Sequence, residues 1–163
     1  MLASEPLVRI FAEIEEEHHR LTALASRLSA AQIGGRPGGA WSAIDTIIHI
    51  TAWQEHARRV AVAQAAPDAP EIDPEVSAGR VLGIDGHAFN AGLLDSHRDW
   101  TLDQALAWHN QVHSALRAAL GRLPSARLLG GPGPHGARTW YGRPAIVHAR
   151  EHRLDLERRL FGG

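Results

Sequence analysis

Four long helical patterns, separated by breaks rich in glycine and proline, constrain the fold of this chain more than any other feature. In each pattern apolar residues recur at spacings of three and four, the period of a helix that buries one face. The patterns cover about residues 4–31, 42–66 and 101–124, and a last stretch from 143 to the terminal glycines. Because no strand-like alternation is evident, we predict an all-α fold in a single domain that spans residues 1–163.

Capping signals mark the starts of three of these helices. Ser4 precedes the first apolar stripe and is a candidate N-cap. Ser42 with Asp45, and Thr101 with Gln104, have the spacing of a capping box, in which each residue's side chain bonds the backbone N–H of the other. These signals predict that the second and third helices begin close to Ser42 and Thr101.

The lengths of the connections predict the topology. About ten residues join the first two helices, which should therefore be antiparallel neighbours. Roughly 35 residues separate the second helix from the third, enough for the chain to return along the molecule and make those two helices parallel. We predict a four-helix bundle in up-down-down-up order with a long crossover between helices two and three. Residues 85–97 form a short helix or an irregular segment, and residues 130–136 form a mobile loop.

Charge and hydropathy exclude several classes of partner. The net charge is −1 and the isoelectric point is near 6.8, so the chain lacks the basic surface of proteins that bind nucleic acid or anionic membranes. No apolar run approaches the roughly 20 residues of a membrane span. The first residues lack the basic and apolar regions of a signal peptide. We therefore expect a cytoplasmic protein whose partner is a small molecule.

Two residue types are missing from the chain. It has no cysteine, which excludes disulfides, thiolate ligands and cysteine nucleophiles. All 17 basic residues are arginine, so Schiff-base chemistry and a P-loop lysine are excluded as well. The 11 histidines are therefore the largest supply of metal ligands and of acid–base groups at neutral pH.

Three of these histidines have the spacing of a metal site. His148 and His152 stand four residues apart on the last helix, where side chains at i and i+4 project from one side about 6 Å apart. His49 lies on the inward stripe of the second helix. Two imidazoles from one helix and one from another would bind a divalent metal and leave a coordination position open. The alternative is that all three are packed core residues whose nitrogens are satisfied by hydrogen bonds.

Other histidines also face the predicted interior. His109 and His113 continue the leucine stripe of the third helix, and His18 and His56 lie on the stripes of the first and second. For these four the spacing alone favours structural, hydrogen-bonded histidines.

The run Trp41-Ser-Ala-Ile-Asp45-Thr-Ile-Ile-His49-Ile-Thr-Ala-Trp53 resembles the second-helix signature of the DinB-like superfamily. That signature is a tryptophan, a small or polar cap, an acidic residue, and a histidine four positions further on. The resemblance continues in order through Asp85, Asn90-Ala91, the helix after Thr101 and the final His148-Ala-Arg-Glu-His152. The motifs are short, so the specificity lies in their order and spacing over most of the chain.

The resemblance implies a fold and a metal site. Members of that superfamily form four-helix bundles in up-down-down-up order, and many bind zinc, nickel or iron through one histidine of helix two and a His-x-x-x-His pair of helix four. The corresponding residues here are His49, His148 and His152. The superfamily includes transferases and isomerases that use mycothiol or bacillithiol, and hydrolase-like self-protection proteins related to colibactin resistance. A homodimer is also what the resemblance implies.

Six further residues are candidates for substrate binding or catalysis. Asp45 could orient an imidazole or act as a base, although an N-terminal capping role explains it equally well. Tyr141 and His113 are candidate acid–base or substrate contacts. The substrate-binding candidates are Trp41, Trp53 and Asn90, with core packing as the alternative for the two tryptophans.

Two functional hypotheses from different classes follow. The first is a divalent-metal-dependent enzyme that acts on a small molecule, as a thiol transferase of the mycothiol type or as a hydrolase. The second is a binding protein that sequesters a reactive small molecule in the same bundle without turnover. A structural or dimerising bundle with packed histidines is a third interpretation, which the glycine-rich loops at the bundle ends disfavour.

Overall fold

All regular secondary structure in the described part of the chain is helical. The computed structural model describes residues 5–36, 41–130 and 138–162, and the all-α prediction is confirmed for them. The long helices are α1 (Glu5–Ser26), α3 (Ala43–Gln64) and α6 (Leu102–Gly121). The shorter ones are α2 (Ala30–Gly34), α4 (Ala78–Val81), α5 (Gly86–Ser96) and α7 (Ser125–Leu128). The C-terminal helix consists of α8 (Thr139–Gly142), a π-helical turn (Arg143–Val147) and α9 (His148–Phe161).

The predicted capping boxes start α3 and α6. The Ser42 hydroxyl accepts from the Asp45 backbone N–H, and the Asp45 carboxylate accepts from the Ser42 N–H at 2.8 Å. Thr101 and Gln104 make the equivalent pair of bonds at the start of α6. Each cap pairs N–H groups that have no partner within the helix, which is worth about 1 kcal/mol.

The first helical pattern is two helices rather than one. The prediction of a continuous helix over residues 4–31 was wrong, because α1 ends at Ser26 and a second capping box, between Ser29 and Gln32, starts α2. A serine followed three residues later by glutamine is the sequence signal of that second start. The predicted N-cap Ser4 lies outside the described residues, as do residues 131–136 of the predicted loop.

The last helix starts earlier than predicted and contains its proline. It begins at Thr139 rather than near Arg143, and Pro144 lies inside it. Because proline has no N–H to donate to the carbonyl four residues back, the backbone there widens into a π-helical turn. The His148 N–H accordingly bonds the carbonyl of Arg143, five residues back.

Two groups of core residues establish the helix directions. At one end of the core the first half of α1 packs with the last halves of α3 and α6 and with the start of the C-terminal helix; this group includes Ile10, Val60, Leu120 and Tyr141. At the other end the second half of α1 packs with the first halves of α3 and α6 and with α9; this group includes Leu21, Ile47, Ala105 and Ala149. Thus α3 and α6 run parallel to each other, and α1 and the C-terminal helix run antiparallel to both.

Helix α3 is the most enclosed of the long helices. Every residue from Asp45 to Ala52 is buried, although this stretch is rich in isoleucine and threonine, which are poor helix formers. Burial overrides propensity here, since each fully buried isoleucine side chain contributes about 1.5–3 kcal/mol. His49, 3% exposed, is therefore held on a rigid segment. No described helix is both long and apolar enough to cross a membrane.

Candidate metal centre

His49, His148 and His152, here called the histidine triad, converge on one point. The Nε2 atom of His148 lies 3.0 Å from the Nε2 atom of His49 and 3.0 Å from that of His152. One nitrogen from each ring can be chosen so that all three lie within 4.8 Å of one another. Two nitrogens bound at about 2.1 Å to a tetrahedral ion would lie roughly 3.4 Å apart. Small shifts of the side chains are therefore enough for the triad to hold an ion.

The two helices that supply the triad run in opposite directions but are level at this point. His49 is near the start of α3, and the predicted helix-four start at Arg143 would have placed His148 near the start of its own helix. Because the helix begins four residues earlier, His148 lies closer to its middle. Arg159 fixes the offset, since its Nη1 donates to the carbonyl of Trp41 at 2.7 Å, tying the end of α9 to the entry of α3.

A buried ionic cluster holds α9 against α1. The Glu17 carboxylate accepts from Arg150 Nε at 2.7 Å and from Arg153 Nε at 3.1 Å, and the Glu17 side chain is only 1% exposed. Removing one member of such a cluster leaves a buried charge uncompensated, which typically costs about 3–5 kcal/mol. The cluster thereby fixes the rotation of the helix that carries His148 and His152.

Burial keeps the triad in the neutral, metal-binding form. The pKa of His49 is lowered to about 4 and that of His148 to about 3, chiefly by burial and in addition by the neighbouring imidazoles. The pKa of His152 is also lowered, mainly by burial. At pH 7 all three rings therefore offer an unprotonated nitrogen, so metal would not have to compete with protons.

The chemistry of the donors fits a borderline transition metal. Three neutral imidazoles and no carboxylate suit zinc, nickel or iron rather than calcium or magnesium. The buried Nδ1 atoms of His49 and His148 have no hydrogen-bond partner among the described residues. The Asn90 side chain lies close enough to His49 to raise its pKa against the effect of burial. Asn90 is therefore placed to orient the His49 ring.

The triad forms the floor of a cavity of about 420 Å³. All three predicted substrate-binding residues line it. The Trp41 ring centroid is 4.5 Å from that of His49 and 6.0 Å from that of His152. The Trp53 indole N–H donates to Asn90 Oδ1 at 3.2 Å. A cavity of this size, lined by aromatic side chains and convergent polar groups, is typical of a small-molecule site.

The family model of the DinB superfamily matches residues 13–155. The chain belongs to the DinB superfamily. The resemblance seen in the Trp41–Trp53 run and in the final histidine pair is thereby confirmed, and membership together with the three-histidine cluster fits a metal-binding protein. Searches of the curated proteins and of the solved structures found no significant match.

The three predicted catalytic residues lie away from the lining of this cavity. The Asp45 carboxylate accepts the Ser42 N–H and lies 3.0 Å from Arg36 Nη2, as expected of a cap. Tyr141 is fully buried and its hydroxyl donates to the carbonyl of Leu128; burial raises its pKa to about 12. Catalytic roles for these two residues and for His113 stay predictions.

His113 belongs to a second group, the histidine stack of His18, His109 and His113. The rings of His18 and His113 are stacked with centroids 3.7 Å apart. His109 Nε2 lies 3.2 Å from His18 Nδ1, and its Nδ1 lies 3.0 Å from Thr51 Oγ1. His113 Nε2 lies 3.3 Å from Glu15 Oε2. These nitrogens have protein partners, as predicted for structural histidines, whereas the two buried ring nitrogens of His56 have none among the described residues.

Sequence reasoning missed three polar residues of the cavity, Ser77, Thr139 and Arg143. In an uninterrupted α-helix Arg143 would lie roughly 140° around the axis from His148. The π-helical turn reduces that angle, because five residues there approach one full turn. Pro144 inside a helical pattern was the signal that the register would shift at this point.

Proposed function

We propose that this protein is a divalent-metal-dependent enzyme that acts on a small molecule, with thiol-transferase or hydrolase chemistry. His49, His148 and His152 would hold zinc, nickel or iron. The observation that carries this proposal is the convergence of three neutral imidazole nitrogens at the floor of a cavity. When bound, the metal supplies the acidity that turns a water or a thiol of the mycothiol type into a nucleophile near neutral pH.

The protein's own residues would bind and enclose the substrate. Trp41 and Trp53 flank the triad and would exclude water from the reacting group, which strengthens electrostatic interactions inside the cavity. The carbonyl oxygen of Asn90 is occupied by the Trp53 N–H, since an indole can only donate. The Asn90 amide group therefore presents its N–H₂ as a donor for substrate.

The decisive experiment is the metal content of the purified chain, without an affinity tag. We expect about one metal ion per chain, and none after His148→Ala or His49→Ala. His18→Ala is the matched control, because it removes an imidazole from the histidine stack and should leave the metal content unchanged. A preparation that is metal-free and cannot be loaded with zinc, nickel or iron would contradict the proposal.

The reaction is then distinguished by assay. A chain that transfers low-molecular-weight thiols to electrophiles in a metal-dependent way is a transferase, and one that cleaves esters or amides without thiol is a hydrolase. Tight binding of such compounds without turnover would favour the sequestering protein instead.

We further interpret the four long helical runs as an up-down-down-up bundle. This is supported by the parallel directions of α3 and α6 and the opposite directions of α1 and the C-terminal helix. A homodimer in the cytoplasm is part of the same proposal, and sedimentation analysis of the purified chain tests its oligomeric state.

A further inference from the structure

The charges around the cavity are unbalanced. Arg143 is the one permanently charged side chain among the described residues that line it, and no carboxylate lines it. The carboxylate of Glu151 lies 3.6 Å from Arg143 Nη2, but both side chains are more than half exposed. Such exposed pairs contribute about 0–1 kcal/mol, so Glu151 binds the Arg143 guanidinium only weakly.

Apart from the triad and Arg143, the polar groups that line the cavity can donate hydrogen bonds. Asn90 presents its amide N–H₂, because its carbonyl oxygen accepts from Trp53. Thr139 and Ser77 contribute hydroxyl groups to the same cavity. The Ser77 hydroxyl oxygen already accepts the Arg80 N–H, which leaves its own proton available for donation. A cavity with a cation and several donors is complementary to an anion.

The π-helical turn explains why Arg143 lines the cavity. Pro144 widens the helix into the π-helical turn, and the wider turn brings Arg143 towards the side of the helix that carries His148. The charge of Arg143 reaches both His148 and His152. Arginine also offers a planar pair of donors that matches a carboxylate, which a lysine would not.

From this arrangement we infer that the cavity selects substrates with a carboxylate, which Arg143 binds while the reacting group lies over the histidine triad. The inference rests on the proposed function for the position of the reacting group. Trp41 and Trp53 provide aromatic walls for the apolar part of the molecule between the two ends. The substrate class is therefore a small aromatic or apolar carboxylic acid, with a thiol or another metal-binding group at its far end.

The test compares two matched probes on the cobalt-loaded chain, 4-mercaptobenzoate and 4-mercaptobenzamide. The rigid ring prevents the carboxylate from reaching the ion that binds the sulfur of the same molecule. Binding is followed by the visible cobalt bands. We expect the acid to bind at least tenfold more tightly than the amide, and Arg143→Gln to reduce this preference to less than twofold. Arg143→Lys should restore part of it.

Arg158→Gln is the control for charge, because Arg158 lies on the same helix with its side chain 76% exposed and does not line the cavity. It should leave the preference unchanged. Equal binding of the two probes, or a preference that persists in Arg143→Gln, would overturn the inference.

A second measurement separates this inference from the proposed function. On metal-free chain, benzoate and benzamide are titrated and followed through the indole N–H signals of Trp41 and Trp53. Benzoate should bind at least tenfold more tightly, again in a way that depends on Arg143. If cobalt fails to bind but this preference is found, the metal proposal is wrong and the anion site stands. If benzoate shows no preference over benzamide, the anion site is wrong whatever the metal result.

Discussion

The histidine triad and the histidine stack each contain three imidazoles. In each cluster two of the three stand four residues apart on one helix: His148 and His152 on α9, and His109 and His113 on α6. The triad includes His49 of α3, and the stack contacts Thr51, two residues further along the same helix. The two clusters therefore lie on opposite faces of α3. In the triad three Nε2 atoms converge beneath a cavity. In the stack two rings lie face to face, and ring nitrogens contact Thr51 and Glu15 as well as one another.

The difference shows that imidazole number and spacing do not by themselves define a metal site. Ring nitrogens bind an ion through lone pairs that lie in the ring plane, so the planes must intersect near one point. The rings of His148 and His152 are inclined at 82°, whereas those of His18 and His113 are inclined at 8°. Nearly parallel rings keep their lone pairs in separate planes. The triad can therefore chelate an ion and the stack cannot without rearrangement.

Stabilisation by metal should give the largest contrast between the two clusters. Zinc at about 1,000 times its dissociation constant should stabilise the wild-type chain by about 4 kcal/mol, because it binds only the folded state. His148→Ala should lose this stabilisation, and His109→Ala should keep it. Urea unfolding with and without zinc measures the effect. The contrast breaks down if both variants lose the stabilisation equally.

In metal-free protein His109→Ala should lower the free energy of unfolding more than His148→Ala does. His109 is completely buried and bonded at both nitrogens, so His109→Ala leaves a cavity and removes hydrogen bonds to Thr51 and His18. We expect a loss of about 2–4 kcal/mol in the free energy of unfolding. His148→Ala should cost less, because His148 is only partly buried. Urea unfolding in the presence of a chelator tests this order, and a more costly His148→Ala would contradict it.

Acid should destabilise the metal-free chain through both clusters. Burial lowers the pKa of His18 to about 4 and that of His109 to about 3, against 6.5 in the unfolded chain. Well above pH 6.5 these rings are neutral in both states and stability does not depend on their protonation. As the pH falls below 6.5 the unfolded chain binds protons that the folded chain does not, so stability falls until the folded pKa values are reached.

The variant His18→Gln sharpens this prediction. It removes one such ring while keeping a side chain that can donate to His109, so the loss of stability between pH 7 and pH 4.5 should be smaller than in the wild type. A series of urea unfolding curves over this range measures the difference. If the free energy of unfolding depends on pH as strongly in His18→Gln as in the wild type, His18 is protonated in the folded chain.

The smallest effect is expected at the edge of the stack. Glu15 pairs with His113 and with Arg117, but its side chain is 31% exposed. Glu15→Gln should therefore cost about 1 kcal/mol or less, and it should leave zinc binding unchanged. Thermal unfolding and a zinc titration test both parts. A weaker zinc affinity would show that the stack and the triad are coupled.

Much of the fold was predictable because local signals and periodicity agreed. The capping boxes of Ser42 and Thr101 start helices, and the apolar stripes of the long helices are buried. The errors lie where a local signal was overlooked or overridden. Ser29 with Gln32 divides the first pattern, and Pro144 is accommodated by a π-helical turn where it was expected to mark the helix start.

The candidate site was predictable in its three histidines but not in its surroundings. His148 and His152 are four apart on one helix, so their proximity is a property of the helix itself. Asp45 looked equally suited to catalysis and to capping, and its contacts with Ser42 and Arg36 could only be seen in three dimensions. Arg143 was missed because a change of helical register cannot be read from a wheel drawn with one period.

The sequence by itself determined the helical class, the family and the identity of the three converging histidines, because these depend on short-range spacing and on the order of motifs. Only the tertiary structure decided which three histidines bring their Nε2 atoms together at a cavity and which three stack their rings and contact Thr51 and Glu15. That outcome depends on the offset and rotation of helices about a hundred residues apart in sequence, here held by Glu17, Arg153 and Arg159. These contacts join residues far apart in the sequence, and no local pattern records them.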